Sequence, residues 1–318
     1  MGQIKYGSVC SGVEAATAAW HDLGWKPQWF SEIEKFPSAV LAHHYPDVPN
    51  FGDMTQYKDW PTNEHPIDLL VGGTPCQSFS VAGLRKGLED PRGNLMLTYL
   101  AMAEQLKPMW LFWENVPGVL SSNGGKDFGT FLSALGQLGY GFAYRVLDAQ
   151  YFNVAQRRKR VFVVGHLGDW KRAAAVLFEP ESVSGHPAPS REKIESAARA
   201  IGVCTARMRG FGDYACDGSA SALKARDYKD ATDLVSFGSK VRRLTPTECE
   251  RLQGFPDNFT QIPWRNKAAE NCPDGPRYKA MGNSMAVPVM RWIGERIKKV
   301  EGTKNDRKEV HREATSVS

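Results

Sequence analysis

Cysteine is sparse in this chain and nowhere paired. The six cysteines stand at 10, 76, 204, 216, 249 and 272, with no C-x-x-C and no histidine beside them at zinc-ligand spacing. That disfavours a structural zinc site and a disulfide framework, leaves no metal expected, and makes the reducing cytoplasm the natural compartment. Long apolar runs are missing too: none approaches the ~20 residues needed to span a bilayer, so no membrane contact is expected. The first twenty residues carry Lys5 but no apolar core of signal-peptide type. There is no G-x-G-x-x-G, so a dinucleotide is not favoured, and there is no internal repeat. Nor does charge of one sign dominate: the net charge of +5 permits a polyanionic partner without demanding one.

What remains is an ordinary globular composition, 42% hydrophobic and 24% charged over 318 residues. That is enough for one large domain, or one large and one small. Residues 4–9 read as a strand that runs into Cys10-Ser11-Gly12-Val13-Glu14 and an alanine-rich helix ending near Leu23. A second strand, Gln28–Glu32, ends in a carboxylate about twenty residues after the glycine turn, a spacing that suits ribose hydroxyls. Asp53 follows another short extended piece. Ile67–Val71 is a buried strand leading into Gly72-Gly73-Thr74-Pro75-Cys76-Gln77-Ser78. A cysteine on a Gly/Pro-rich strand end is either a small buried hydrophobe or a reactive group where open α/β sheets bind ligands. The polar stretch Val81–Gly93 has the length of a lid.

Further strands are predicted at 110–113, 142–147 and 160–166, with helices at 94–105 and 127–138 between them. Strands and helices thus alternate as in a doubly wound α/β sheet. After Leu167 the periodicity fades into Gly, Ser, Ala, Pro and evenly balanced charge. Order returns at Thr245, a natural N-cap with Pro246 at the first helical position. A C-terminal helix is expected over 285–300, then a polar, disordered tail at 301–318. Basic residues cluster at Gln156–Arg160, at Arg242-Arg243 and between Arg277 and Lys299; three clusters favour phosphate contact over a merely solvated surface.

The order of these pieces resembles the DNA cytosine-5 methyltransferases that use S-adenosylmethionine, of bacterial or phage type. The resemblance rests on Cys10–Glu14, Gly52-Asp53, Thr74-Pro75-Cys76-Gln77, Glu114-Asn115-Val116, Gln156-Arg157-Arg158-Lys159-Arg160, Arg243–Pro246 through Arg251–Pro256, and Gly282-Asn283-Ser284. It covers about 1–167 and 240–300. It implies a Rossmann-like doubly wound sheet, the S-adenosylmethionine-dependent methyltransferase fold, with a small, loop-rich target-recognition domain. On that basis 1–167 plus 280–300 form the catalytic and cofactor-binding domain, and 168–279 the target-recognition domain and hinge.

The resemblance also implies roles. Cys76 adds to carbon 6 of cytosine, which makes carbon 5 nucleophilic. Glu114 protonates N3, Arg158 holds O2 and the sugar-phosphate, and Arg160 ties the catalytic carboxylate in place. The target carbon is unreachable inside a duplex, so the base is flipped out and Val81–Gly93 closes over it. Ser11, Gly12, Val13 and Glu14 surround the methionine part of S-adenosylmethionine. Glu32 takes the ribose hydroxyls, Asp53 the adenine amino group and Leu95 a ring face, and Asn283 and Ser284 return to the same site. Where the family commonly carries Phe and a glycine run, this chain has Cys10 and Glu14-Ala15; Glu14 is expected to offset the lost aromatic face by approaching the cofactor's ammonium group.

The expected partner is double-stranded DNA, met by a monomer in the cytoplasm. Gln77, Ser80, Arg85 and Lys86 would touch the nearby backbone, and Arg207, Arg209, Lys224 and Arg226 are candidates for guanine or phosphate. The middle segment does not by itself separate a DNA from an RNA substrate. The target sequence, the group that removes the carbon 5 proton and any restriction endonuclease partner are not legible.

Overall fold

The computed structural model describes residues 3–75, 94–178, 204–210, 213–215, 219–224, 233–237 and 240–315. For 204–206, 209–210, 213–214, 234–237, 240–241 and 303–315 it describes the backbone alone. A six-stranded sheet carries the chain: β1 (Lys5–Val9), β2 (Lys26–Ser31), β3 (Leu69–Gly72), β4 (Trp110–Asn115), β5 (Tyr140–Asp148) and β6 (Lys159–Leu167). Their spatial order is β2-β1-β3-β4-β6-β5. Pairs β1–β2, β1–β3 and β3–β4 are parallel, while β6 runs antiparallel to both neighbours.

Both faces of this sheet are covered, which is why its central strands read as continuous apolar runs. Leu69, Val71, Trp110, Phe112, Phe162 and Val164 face one core. Leu70, Leu111, Trp113, Val161 and Val163 face the other. Helices α1 (Ala15–Trp20), α5 (Trp170–Leu177) and α8 (Val287–Thr315) supply the first core, and α3 (Leu95–Leu106) and α4 (Lys126–Gln137) the second. Trp20 of α1 donates its indole N–H to the Met290 carbonyl of α8 at 2.8 Å. Helix α2 (Lys35–His44) follows β2.

A second, four-stranded antiparallel sheet has the order β10-β9-β7-β8, from β7 (Cys204–Gly210), β8 (Asp213–Ala215), β9 (Leu234–Phe237) and β10 (Lys240–Arg243). Helix α6 (Pro246–Gln253) begins with the expected cap: Thr245 accepts from the Glu248 amide at 3.3 Å, and Glu248 reaches back to the Thr245 amide at 2.7 Å. Helix α7 (Asp274–Asn283) precedes α8.

Two boundaries differ from the sequence reading. The first sheet's body does not stop at 167, because α5 packs on β5, β6 and α8. Leu244, Leu252 and Phe255 likewise join the first core, so the separate body narrows to β7–β10. The disordered tail expected at 301–318 is instead helical backbone as far as Thr315; its Lys, Arg, Glu and Ala residues are good helix formers, with no proline among them. Among the described residues no helix is long and apolar enough to cross a membrane.

Candidate active site

Parallel strands bring their carboxyl ends to one edge, where open α/β sheets bind ligands. β1 delivers Cys10–Gly12 there, β2 delivers Glu32, β3 delivers Gly73–Pro75, and β4 delivers Glu114 and Asn115. β6 is reversed, so its amino end lies at the same edge. Its register pairs Glu114 with Phe162 and Asn115 with Val161, which sets Arg160 beside Glu114: Arg160 Nε lies 3.0 Å from Glu114 Oε1. Burial pushes the Glu114 carboxyl up, and Arg160 and then Arg158 pull against it.

Arg158 is buried and internally engaged. It donates from Nη1 to the Leu223 carbonyl at 3.2 Å and from Nη2 to the Gly282 and Ser284 carbonyls at 3.2 and 2.7 Å. Among the described residues its Nε has no hydrogen-bond partner. Asn115 donates to the Thr74 carbonyl and Trp113 to the Thr74 hydroxyl, both at 2.9 Å. The residue two positions before Cys76 is thereby fixed to the strand that carries Glu114. Cys76 itself, Gln77, Ser80, Arg85 and Lys86 lie outside the described residues, as does the expected lid.

A cleft of about 1070 Å³ opens along the edge, and Pro75, Glu114, Arg158 and Arg160 line one end of it. Cys10, Glu32, Asp53, Leu95 and Asn283 line the remainder. Glu32 accepts from the Gly12 amide at 2.8 Å and the Glu34 amide at 2.7 Å, and burial raises its pKa. Asp53 caps the 3-10 turn Met54–Asp59 through the Thr55 amide at 2.9 Å. Cys10 rests against Met54, sulfur to sulfur at 3.7 Å; burial, then Glu32 and Asp53, push its thiol up to about 12, so it is no nucleophile.

A smaller cavity of about 40 Å³ lies behind the turn, bordered by Ser11, Gly12, Glu14, Glu114, Asn283 and Ser284. The two ends of the expected cofactor set, 11–14 and 283–284, therefore meet. Two details differ from expectation. Val13 is wholly buried in the first core and lines neither cavity with its side chain. Glu14 turns inward from a left-handed conformation (φ 66°, ψ 62°) and caps α1. Its carboxylate accepts from the Ser8 hydroxyl at 2.8 Å and from the Thr17 amide and hydroxyl at 3.2 Å each. Burial raises it to about 7.

Several neighbours escaped the sequence reading. Ile33 is 70% exposed and lines the cleft beside Glu32; a lone apolar residue between two glutamates at a strand end was the available signal. Lys279 crosses the cleft mouth to Glu34 at 2.6 Å. The basic clusters are largely answered within the protein: Arg242 pairs with Glu248 at 2.7 Å, Arg277 with Glu250 at 3.1 Å, and Arg291 with Asp22. Arg207 is half-buried on β7 of the second sheet, and Lys224 is exposed in the irregular segment that follows β8. The Arg209 side chain and Arg226 lie outside the described residues.

A six-stranded sheet with one reversed strand and acidic residues at successive strand ends defines a Rossmann-like methyltransferase. Structural likeness agrees: the Schizosaccharomyces pombe Dnmt2 methyltransferase superposes with a TM-score of 0.64 at 15% identity, over 93% of this chain and 99% of that one. A putative DNA modification methyltransferase encoded within an Escherichia coli prophage gives a TM-score of 0.64 at 18% identity, over 94% and 100%. The chain belongs to the C-5 cytosine-specific DNA methylase family, which it matches over residues 4–202 and 206–299. Among relatives, the type II methyltransferase M.NlaX of Neisseria lactamica is 33% identical over 87% of this chain and 90% of its own length. M.SsoII of Shigella sonnei is 32% identical over 84% and 72%. A protein of Escherichia phage P1 named DNA N-6-adenine-methyltransferase is 38% identical over 94% of this chain, and the chain spans 62% of its length.

Proposed function

We propose that this protein transfers a methyl group from S-adenosylmethionine to carbon 5 of a cytosine in double-stranded DNA, with the base flipped out of the helix and Cys76 bonded to its carbon 6. The observation that carries the reading is the group at the reversed-strand edge: a buried Glu114 beside Arg160, with Asn115 of the same strand clamping Thr74 just before Pro75-Cys76.

The chemistry follows. Thiolate addition at carbon 6 pushes an electron pair toward N3 and O2. Glu114, disposed by burial to hold its proton, gives that proton to N3. Arg160 stabilises the charge at O2: it stands beside Glu114, and its side chain is more exposed than that of Arg158. Arg158, bonded to three carbonyls, holds the edge together instead. S-adenosylmethionine supplies the electrophilic methyl group on its sulfonium. The cleft fits that cofactor: Glu32 would accept from ribose hydroxyls and Asp53 from an amino group, and Ile33 and Leu95 would offer apolar faces. Relatives named type II methyltransferases support a short duplex target.

The phage P1 relative's name raises a second reading, methylation of adenine N6. An exocyclic amine needs no thiol adduct, and more than a third of that relative's length lies outside the match. The test is a duplex carrying 5-fluorocytosine, incubated with S-adenosylmethionine. The wild type should form a denaturation-resistant adduct and Cys76→Ala none. N6-methyladenine as the only product in nucleoside mass spectrometry would overturn the reading.

A further inference from the structure

Residues 219–224 cross from the second sheet to the catalytic edge. The Ala220 amide donates to the Ala155 carbonyl at 2.7 Å, and the Arg157 amide donates to the Ala220 carbonyl at 2.9 Å. This forms a parallel bridge between Ala220 and Gln156. The Leu223 amide donates to Gln156 Oε1 at 3.1 Å, and Gln156 Nε2 donates to the Leu252 carbonyl of α6 at 2.9 Å. The Leu223 carbonyl in turn accepts from Arg158 Nη1. Lys224, next along the chain, is exposed.

Between these anchors on Ala220 and Leu223, Ser221 is held from the second sheet's side by a carboxylate. Asp233, 6% exposed and immediately before β9, accepts from the Ser221 amide at 2.5 Å and the Ser221 hydroxyl at 3.0 Å. It also accepts from the Met208 amide of β7 at 3.3 Å. An apolar plug would fill this spot without the desolvation that a buried carboxylate incurs. A carboxylate adds direction: its three bonds fix Ser221 relative to β7, and through two peptide units they fix the carbonyl that Arg158 grips.

We propose that Asp233 is a positioning residue, holding 219–224 as a strap that lets DNA docked on the second sheet set the Arg158 guanidinium at the catalytic edge. The inference rests on the cytosine-5 reading above. It extends the role of the second sheet from choosing the target to licensing the reaction there. The mechanical link is short: Ser221 stands two residues from Leu223, whose carbonyl Arg158 grips.

The test uses the full chain, S-adenosylmethionine and a library of random-sequence duplexes whose methylated sites are read by bisulfite sequencing. Wild type defines the preferred site. Asp233→Ala should lower kcat on that site by about 10- to 100-fold, the range expected of a sub-ångström to ångström misplacement. It should also methylate near-matching sites at rates closer to the preferred one, with KM for S-adenosylmethionine unchanged. Asp233→Asn, which turns one acceptor into a donor against the Ser221 amide, should shift the same two quantities by less and guards against a variant that does not fold. A carboxylate that merely stabilised the fold would lower the melting temperature and leave site preference alone; that result in both variants overturns the proposal while the cytosine-5 reading stands. No methylcytosine from the wild type would overturn both.

Discussion

Two buried glutamates border the small cavity, and they differ in what answers their charge. Glu114 faces two arginines, whereas Glu14, among the described residues, accepts from the neutral groups of Ser8 and Thr17. Glu14 therefore binds its proton more tightly in the folded protein, at about 7, than at its ordinary 4.5. Between those values the folded state holds more protons than the unfolded one, so this residue's contribution to stability falls as pH rises from 4.5 to 7. A shift of that size is worth roughly 3 kcal/mol at 1.36 kcal/mol per unit. Denaturant unfolding should show Glu14→Gln gaining on the wild type by that order between pH 4.5 and pH 8; a gap that does not change with pH would sink the assignment. Isothermal calorimetry on the same variant tests the other expectation: unchanged affinity for S-adenosylmethionine would remove Glu14 from the cofactor's ammonium. The two arginines also separate at this scale. Arg160→Gln should lower kcat by about 10²- to 10³-fold, the loss typical of removing one oxyanion donor, with cofactor binding kept. Arg158→Gln should lower the melting temperature as well as kcat, because it strips donors from the carbonyls of Leu223, Gly282 and Ser284 that hold the edge together.

At the scale of elements, the strands were legible because burial on both faces makes them continuous apolar runs, and the strand ends gave the site. The reversal of β6 is not visible in its composition. It follows from the connection: residues 149–158 are too few for the crossover that a parallel neighbour of β5 would need. That reversal is what brings Arg158 and Arg160 to the edge, so the site could be listed residue by residue before its geometry could be derived. Helix α7 was missed because Gly275 and Pro276 sit in its first turn, where unpaired amides tolerate proline. The ion pairs were illegible for another reason: Arg277 and Glu250, or Lys279 and Glu34, are partners across long stretches of chain. Packing of α8 on α1 makes a prediction against propensity. Gly294→Ala would ordinarily favour a helix, but here a Cβ would lie 2.5 Å from Trp20 Nε1 and 3.0 Å from Leu23 Cδ1. The variant should be less stable by about 1–3 kcal/mol, as for an overpacked core, with a lowered midpoint in thermal unfolding; an unchanged or raised midpoint would show that the Trp20 ring yields.

For the whole molecule, the C-terminal helix is a fastener between the first core and the sheet's far end. Glu301 Oε1 accepts from Trp110 Nε1 at 3.1 Å and from Arg172 Nη1 at 3.0 Å, joining α8 to β4 and α5. His166 of β6 lies 4.0 Å from the same oxygen and packs edge-on against Trp110. This knot sits at the opposite end of the strands from the catalytic cleft, since Trp110 begins β4 and His166 lies near the end of the reversed β6. A domain boundary at 300, the expectation from composition, would cut just before it. The consequence separates folding from chemistry. A chain ending at Gly302 keeps the knot and should unfold and methylate as the full chain does. One ending at Lys299, or Glu301→Ala in the full chain, loses an acceptor shared by two donors, one of them charged. It should be less stable by about 2 kcal/mol, with kcat at low temperature unchanged because no catalytic strand end is touched. Thermal melts with turnover assays at 20–25 °C, roughly the reference temperature of these energies, check both halves. If the Lys299 truncation melts with the full chain, Glu301 is an ornament of the surface and the body of the protein does end at 300.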